Sequence, residues 1–382
     1  MQFRDIIGHK EAIARLRAMA DRRQLPHALL FHGPSGVGKT AVARAFIQYL
    51  YCTARHDGDS CGRCPECLQT SKLNNPDVHY IFPVLKNARH PRGLSEEYSE
   101  EWAEMLEKYP YMPAEKWLQI IDAGNSVPKI YVDESKELLR MSSLSSYGNG
   151  YKIFMIWEPE KMNPETANKL LKVIEEPFSD TLFILVSNNP GALMPTIRSR
   201  LQAIEFTPLP DSEITEYLVR NGKTLEEAQS LARIAKGNMN RASQLALEGG
   251  EPEEFRNAFI GVMRACYARK MTELKAYADT FAAYGREKSV RLLDYFARMV
   301  RESFISNLRC KALEAMTPEE ESFVARFGPF INEANVAEME REIDEARNDI
   351  TRNANQKIVF FDFLISLTRL IRLNGMNAAK SR

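Results

Sequence analysis

Two groups of residues in this sequence have the types and spacing to do chemistry. The first is Gly33-Pro34-Ser35-Gly36-Val37-Gly38-Lys39-Thr40, a full match to G-x-x-x-x-G-K-[ST]. Glycines at these places let the backbone curl until several N–H groups face one point. A helix N-terminus directly behind the loop adds the positive end of its dipole. Lys39 is expected to reach the β- and γ-phosphates of a nucleotide, and Thr40 to hold Mg²⁺. The second group is Cys52, Cys61, Cys64 and Cys67, spaced C-x8-C-x2-C-x2-C. Two residues between thiolates let a tight turn present both to one tetrahedral Zn²⁺, and Gly62 and Pro65 suit such turns. Four ligands close the shell, so the expected zinc is structural rather than catalytic. His56 lies in the long gap and reads as a solvated loop histidine. Cys266 and Cys310 fall in helical patterns and read as small buried apolar residues.

The phosphate loop needs a strand before it and a helix after it, and both are legible. His27–His32 is a short apolar run, and Ala43, Phe46, Ile47 and Leu50 recur at helical spacing on one stripe. Four more strands are expected at Val78–Pro83, Tyr151–Trp157, Thr181–Ser187 and Gln202–Phe206. Helical stretches lie between them, which favours a parallel sheet with crossover helices. One such helix carries Ala167, Leu170, Leu171 and Ile174, with Asn163 as N-cap, Pro164 at its first position and Pro177 as its stop. After Phe206 a proline-marked linker, TPLPD, leads into purely helical sequence. There Thr224 and Glu227 make a capping box and Gly237 closes the helix. GGEPEE at 249–254 marks a second boundary. Beyond it Val336, Met339, Ile343, Ala346 and Ile350 form one stripe, Ile358 to Ile371 is dense in apolar residues, and the final NAAKSR reads as frayed. The expected architecture is an α/β P-loop domain over 1–207, a small helical lid over 208–248 and an all-α domain over 249–382. The zinc module spans 52–67. The stretch 84–129, long, acidic and tryptophan-bearing, does not fit the α/β alternation.

Composition narrows the function classes. The chain has 382 residues, 44% of them hydrophobic and 27% charged, ordinary values for a folded soluble protein. No run is long and apolar enough for a membrane span, and the charged start lacks the apolar core of a secretory signal, so a cytoplasmic protein is expected. Fifty-one basic residues balance 51 acidic ones, which excludes wrapping of nucleic acid in bulk positive charge. Six cysteines, four of them clustered, suit metal binding in a reducing compartment and not a disulfide scaffold.

The phosphate loop followed by four cysteines resembles the bacterial DNA polymerase III clamp-loader family of AAA+ proteins, the delta-prime and gamma/tau subunits. Other segments share the resemblance: FRDIIGHKEAIARLRAMADRRQLPHALLFHGPSGVGKT, YKIFMIWEPEKMNPETANKLLKVIEEP, TLFILVSNNPGALMPTIRSRLQAIEF and RNANQKIVFFDFLISLTRL. It covers nearly the whole chain except 84–129, which is read as an insertion. It implies an AAA+ domain, a lid, and a helical collar that joins a hetero-oligomeric ring. It also implies a role in loading the sliding clamp on primed DNA, with ATP and Mg²⁺ at Gly33–Thr40. Arg200, in the serine–arginine motif, is implied as an arginine finger acting in trans on a neighbour's ATP, and Glu158 as the residue that positions water.

The sequence departs from the family pattern at three places. Trp157 stands where an aspartate orients the Mg²⁺ shell, and an indole cannot accept from a metal-bound water. Asn240 stands at the second sensor arginine, with Arg241 one place on. Leu201 replaces the cysteine after Ser199-Arg200. The expected protein is therefore a weak or non-hydrolysing ring subunit. An active ATPase motor of the same assembly, and a zinc-module DNA-binding protein with a vestigial nucleotide site, are the competing readings.

Overall fold

The computed structural model describes residues 1–382 except 125, 145, 149, 179, 248–250, 309–315 and 374–382. Cys310, the NAAKSR end and the 248/249 boundary lie outside the described residues. Two compact units are present, Met1–Gln244 and Leu245–Arg382. The expected lid therefore falls almost wholly in the first unit.

The first unit is built on five parallel strands, β1 (Ala28–His32), β2 (Val78–Ile81), β3 (Lys152–Trp157), β4 (Thr181–Ser187) and β5 (Gln202–Glu205), in the order β2-β3-β4-β1-β5. All five lie where the apolar runs placed them. β2 stops two residues short of Pro83, because the Phe82 N–H leaves the ladder and donates to Ser95 Oγ at 3.0 Å. The helices of this unit are α1 (Lys10–Asp21), α2 (Lys39–Tyr51), α3 (Pro65–Ser71), α4 (Ser99–Lys108), α5 (Ala114–Ile120), α6 (Val132–Ser143), α7 (Pro164–Glu175), α8 (Pro195–Arg198), α9 (Asp211–Arg220), α10 (Leu225–Ala235) and α11 (Met239–Leu247). Strand periodicity divides the core. Along β3, Ile153, Met155 and Trp157 pack on the side of α2, with Val42 and Phe46. Phe154 and Ile156 pack on the side of α7, with Leu170 and Ile174. The α7 cap is as the sequence predicts, with Asn163 accepting from the Thr166 N–H at 2.8 Å. So is the α10 capping box, although the left-handed turn after that helix begins at Lys236 (φ 49°), one residue before Gly237 (φ 80°).

The stretch 84–129 closes on itself, since Val84 and Lys129 exchange two backbone hydrogen bonds of 3.0 Å each. What lies between them belongs to the core. Phe82, at the end of β2, stacks on Trp102 of α4 with centroids 3.9 Å apart and meets Trp117 of α5 edge-on at 5.1 Å. Trp102 also meets Trp117 at 5.4 Å and Trp157 of β3 at 5.5 Å. All three tryptophans are buried. The Trp117 indole N–H donates to the Pro83 carbonyl at 2.7 Å, and Arg44 of α2 donates to the Leu106 carbonyl at 2.8 Å.

The second unit is helical throughout its described residues: α12 (Glu251–Ala268), α13 (Met271–Ala282), α14 (Arg286–Asn307), α15 (Pro318–Phe327), α16 (Val336–Thr351) and α17 (Gln356–Leu370). Its core is aromatic, with Phe259, Phe281, Phe296, Phe360 and Phe363 together, and Cys266 is buried in it. Glu320 accepts from Tyr295 Oη at 2.7 Å and pairs with Arg298, which offsets the cost of a buried carboxylate.

Trp102 carries the most contacts in the aromatic patch. Trp102→Ala should therefore cost about 3–5 kcal/mol, the usual penalty for emptying a large aromatic site. Urea denaturation monitored by circular dichroism measures this, and a cost below about 1 kcal/mol would mean that the segment is only loosely docked.

Candidate functional site

The phosphate loop follows β1 and leads into α2, as its mechanism requires. Gly33, Gly36 and Gly38 all have positive φ, at 148°, 75° and 107°. Each is also crowded. A β-carbon on Gly33 would lie 2.0 Å from the Phe206 carbonyl oxygen, and one on Gly36 would lie 2.0 Å from Asn238 Oδ1. These positions admit only glycine on both counts. Pro34, Ser35 and Val37 complete the curve, and His9 Nε2 sits 2.7 Å from the Val37 carbonyl oxygen. Lys39 and Thr40 are buried. The Lys39 ammonium donates to the carbonyls of Gly33, at 2.8 Å, and Pro34. Burial holds its pKa down to about 8, against the pull of Glu160 and Glu158. An ammonium held by carbonyls of its own loop, at the N-terminus of α2, is chemically suited to a polyphosphate.

Beside the loop, β3 ends in Trp157-Glu158. Trp157 points to the α2 side and is taken up by the aromatic patch. Glu158 turns into the left-handed region (φ 51°), is largely buried, and accepts from Asn188 Nδ2 at 3.2 Å. Burial, and then the neighbouring Glu160, push its carboxyl up to about 7. Glu160 in turn accepts from the N–H groups of Asn188 and Asn189, at 3.1 and 3.2 Å. Glu158, Glu160 and Asn188 are thus brought together. Asn240, at the second sensor position, instead donates to the Tyr111 carbonyl at 3.0 Å.

Arg200 lies apart from this cluster, just before β5. It is partly exposed, donates to the Thr196 carbonyl at 2.8 Å and pairs with Glu175 at the end of α7 at 2.7 Å. Such an exposed pair is worth about 0–1 kcal/mol, so the guanidinium is tethered only lightly.

The four cysteines converge. Their sulfurs all lie within 4.8 Å of one another, with Cys61 and Cys67 at 4.0 Å. A tetrahedral zinc with bonds of about 2.3 Å sets sulfurs about 3.8 Å apart, so the site fits that ion. Backbone N–H groups donate to these sulfurs, from Cys61 to Cys52 at 3.2 Å, Cys64 to Cys61 at 3.3 Å and Cys67 to Cys64 at 3.4 Å, contacts that would orient the thiolates toward a metal. N–H groups of Arg63 and Cys64 hold the Cys61 thiol down to about 6, while burial pushes Cys52 and Cys67 up. A divalent cation is what lets four such thiolates coexist. His56 is exposed and outside the cluster, beside Asp57. The module also braces the start of the chain. Asp59 accepts from the N–H groups of Phe3 and Arg4 at 3.1 and 3.0 Å, Gln2 donates to the Ser60 carbonyl, and Gln48 of α2 donates to Ser60 Oγ at 2.9 Å.

Sequence reasoning missed Tyr111, His9 and Glu160. Tyr111 lies in the stretch that fits no motif, and no periodicity could have brought it to the phosphate loop.

Residues 8–210 match the family model described as DNA polymerase III, delta subunit. DNA polymerase III subunit delta' of Pseudomonas aeruginosa is 28% identical over 61% of this chain and 56% of its own length. The Bacillus subtilis delta' subunit is 24% identical over 70% of this chain and 68% of its own. The gamma/tau subunit of Mycobacterium bovis is 25% identical over 57% of this chain and 31% of its own. The chain thus spans about half to two thirds of the delta' relatives and less than a third of the gamma/tau one. No helix among the described residues is long and apolar enough to cross a membrane.

Two outcomes follow from this geometry. Purified chain should contain one zinc, and Cys64→Ser should lower both the zinc content and the melting temperature. Elemental analysis with a thermal melt checks this, and a zinc-free wild-type chain of unchanged stability would refute it. Glu158 has a raised pKa, so between about pH 4.5 and 7 the folded chain keeps a proton that the unfolded chain releases. Stability therefore falls as pH rises through that window. Glu158→Gln should match the wild type at pH 4 and exceed it at pH 8, by roughly 1–3 kcal/mol, in paired denaturation curves.

Proposed function

The chain belongs to the DNA polymerase III delta-subunit family, and on that premise we propose that it is a ring subunit of the polymerase's clamp loader, resembling delta-prime and hydrolysing ATP weakly or not at all. With its partner subunits it would help load the sliding clamp on primed DNA. Bound ATP and Mg²⁺ would lie on Gly36, Gly38, Lys39 and Thr40 and supply the phosphoryl chemistry. Within this chain Lys39 would neutralise phosphate charge and Glu158 would orient a water. The observation that carries the weak-hydrolysis reading is Trp157, whose indole is buried in the aromatic patch where the family has a metal-orienting aspartate. Asn240, bound to the Tyr111 carbonyl, leaves the second sensor without its arginine. Lid and collar divisions at about 208 and 249 fit this reading. So would a structural zinc, whose module holds residues 2–4 through Asp59 and Ser60.

The chain's contribution to catalysis would come from Arg200, delivered into a neighbouring subunit's nucleotide site. A guanidinium placed there stabilises the charge that spreads over the γ-phosphoryl oxygens. The partial exposure of Arg200 and its light tether to Glu175 suit a residue that exchanges partners on assembly. An active motor of the gamma/tau kind is the second reading, favoured by the intact phosphate loop and by Glu158 beside Asn188.

Arg200→Ala should leave ring assembly intact and slow the DNA- and clamp-stimulated ATPase of the reconstituted assembly by about 10-fold or more, a modest share of what trans fingers contribute elsewhere. Arg200→Lys should rescue poorly, because an ammonium lacks the planar fork. Unchanged turnover in an intact ring would leave this subunit a scaffold. Brisk ATPase from the isolated chain, abolished by Lys39→Ala, would favour the motor reading.

A further inference from the structure

The stretch 84–129 does more than fill the core. Between α4 and α5 the chain makes a tight turn, with the Met112 N–H donating to the Tyr109 carbonyl at 2.9 Å and buried Met112 in the left-handed region (φ 48°). The turn carries Tyr111 to the phosphate loop, where three separate elements hold it. Its ring lies against Gly38, so that a β-carbon there would stand 2.8 Å from Tyr111 Cε1 and 3.2 Å from Cδ1. Its hydroxyl accepts from the Ile7 N–H at 3.3 Å. Its carbonyl accepts from Asn240 at 3.0 Å.

These three contacts come from the loop, the N-terminal segment and the lid, the walls between which a nucleoside would have to lie. A nucleotide on Gly36–Thr40 has its terminal phosphate toward Glu158 and Asn188, the groups that can act on it. Its nucleoside must then leave on the other side, past Gly38, between Ile7–His9 and Asn238–Asn240. The loop is shut on the lid side as well, since the Met239 N–H donates to the Gly36 carbonyl at 2.9 Å. The turn is anchored from behind by the Trp117–Pro83 and Arg44–Leu106 bonds and by the stack of Phe82 on Trp102.

The geometry points to Tyr111 as a built-in plug that occupies the nucleoside's place and excludes nucleotide from this chain's own phosphate loop. The inference rests on the reading of Gly33–Thr40 as a nucleotide site and deepens it: the loop keeps its glycines and Lys39 but is closed by its own chain. An aromatic ring, one hydroxyl acceptor for a backbone N–H and a polar group toward the lid together imitate a nucleoside. A plug closed more than nine-tenths of the time weakens apparent affinity at least tenfold, because only the open fraction binds.

The test is calorimetric titration of the full chain with Mg-ATP and Mg-ADP. Tyr111→Ala should bind at least about tenfold more tightly than wild type, and Lys39→Ala on that background should abolish the gain. Tyr111→Phe, which keeps the ring, should stay near wild type. Equal affinity in wild type and Tyr111→Ala overturns the plug. So does tighter binding by wild type, which would make Tyr111 a stacking platform for the base, and so does no binding by either. Hydrogen exchange on the unaltered chain gives a reading that needs no variant: when millimolar Mg-ATP is driven on, the amides of Ile7 and Met112 should lose protection. Bound ATP with those amides still protected overturns the inference. Neither measurement involves the ring, so failure here leaves the role of Arg200 standing, and failure of the Arg200 test leaves the plug standing.

Discussion

Three tryptophans and Phe82 pack into one patch on the α2 side of the sheet, and the unusual features of the first unit depend on it. Trp102 and Trp117 come from the stretch 84–129, Trp157 from the end of β3 and Phe82 from the end of β2. Face-to-face and edge-on aromatic contacts are each worth about 0.5–1.5 kcal/mol beyond the area they bury. A carboxylate at position 157 would be a charge pressed into that patch, an expensive arrangement unless a cation accompanies it. The docked segment and an indole in place of a carboxylate at position 157 are therefore one physical choice. A strand end can be given to a metal or to an aromatic core, not to both.

Once the patch fixes α4 and α5, the turn between them has nowhere to go but the phosphate loop. A second line of support reaches the same place from the other side. The cysteine module holds residues 2–4 through Asp59 and Ser60 and is itself bonded to α2 through Gln48. That fixes the start of the chain, so that the Ile7 N–H stands where Tyr111 can meet it. A metal held by the four cysteines would thus act at a distance on the loop, by orienting the segment that walls it. Small folds without enough core of their own commonly rely on such a metal for rigidity.

Arg200 follows a different logic. Gly36 to Thr40 of the loop are buried, whereas Arg200 is partly exposed and held by a surface ion pair with Glu175. Because water screens such pairs, exchanging Glu175 for a phosphate costs little. The finger role proposed for Arg200 would require a guanidinium available in this way, while residues that act at the chain's own loop need preorganisation.

Much of this was legible in the residue order alone. Glycine at 33, 36 and 38 announces positive φ, the C-x2-C pairs announce one cluster of thiols, and apolar runs of strand length announce the five strands. Asn163 and Thr224 announce caps. These are local statements, decided by backbone sterics and short-range hydrogen bonds, and the chain cannot satisfy them in many ways. The sequence also showed that Trp157 departs from its family, and that 84–129 obeys no alternation. It could not show that these two facts are one. Their connection is made by Trp102 lying 5.5 Å from Trp157 across 55 residues of chain, and by Tyr111 meeting Ile7 across 104. Side-chain packing between segments so distant is not encoded in any spacing. It is fixed only when the whole sheet has formed and leaves a single surface on which the tryptophans can be buried, and only the tertiary structure decides it.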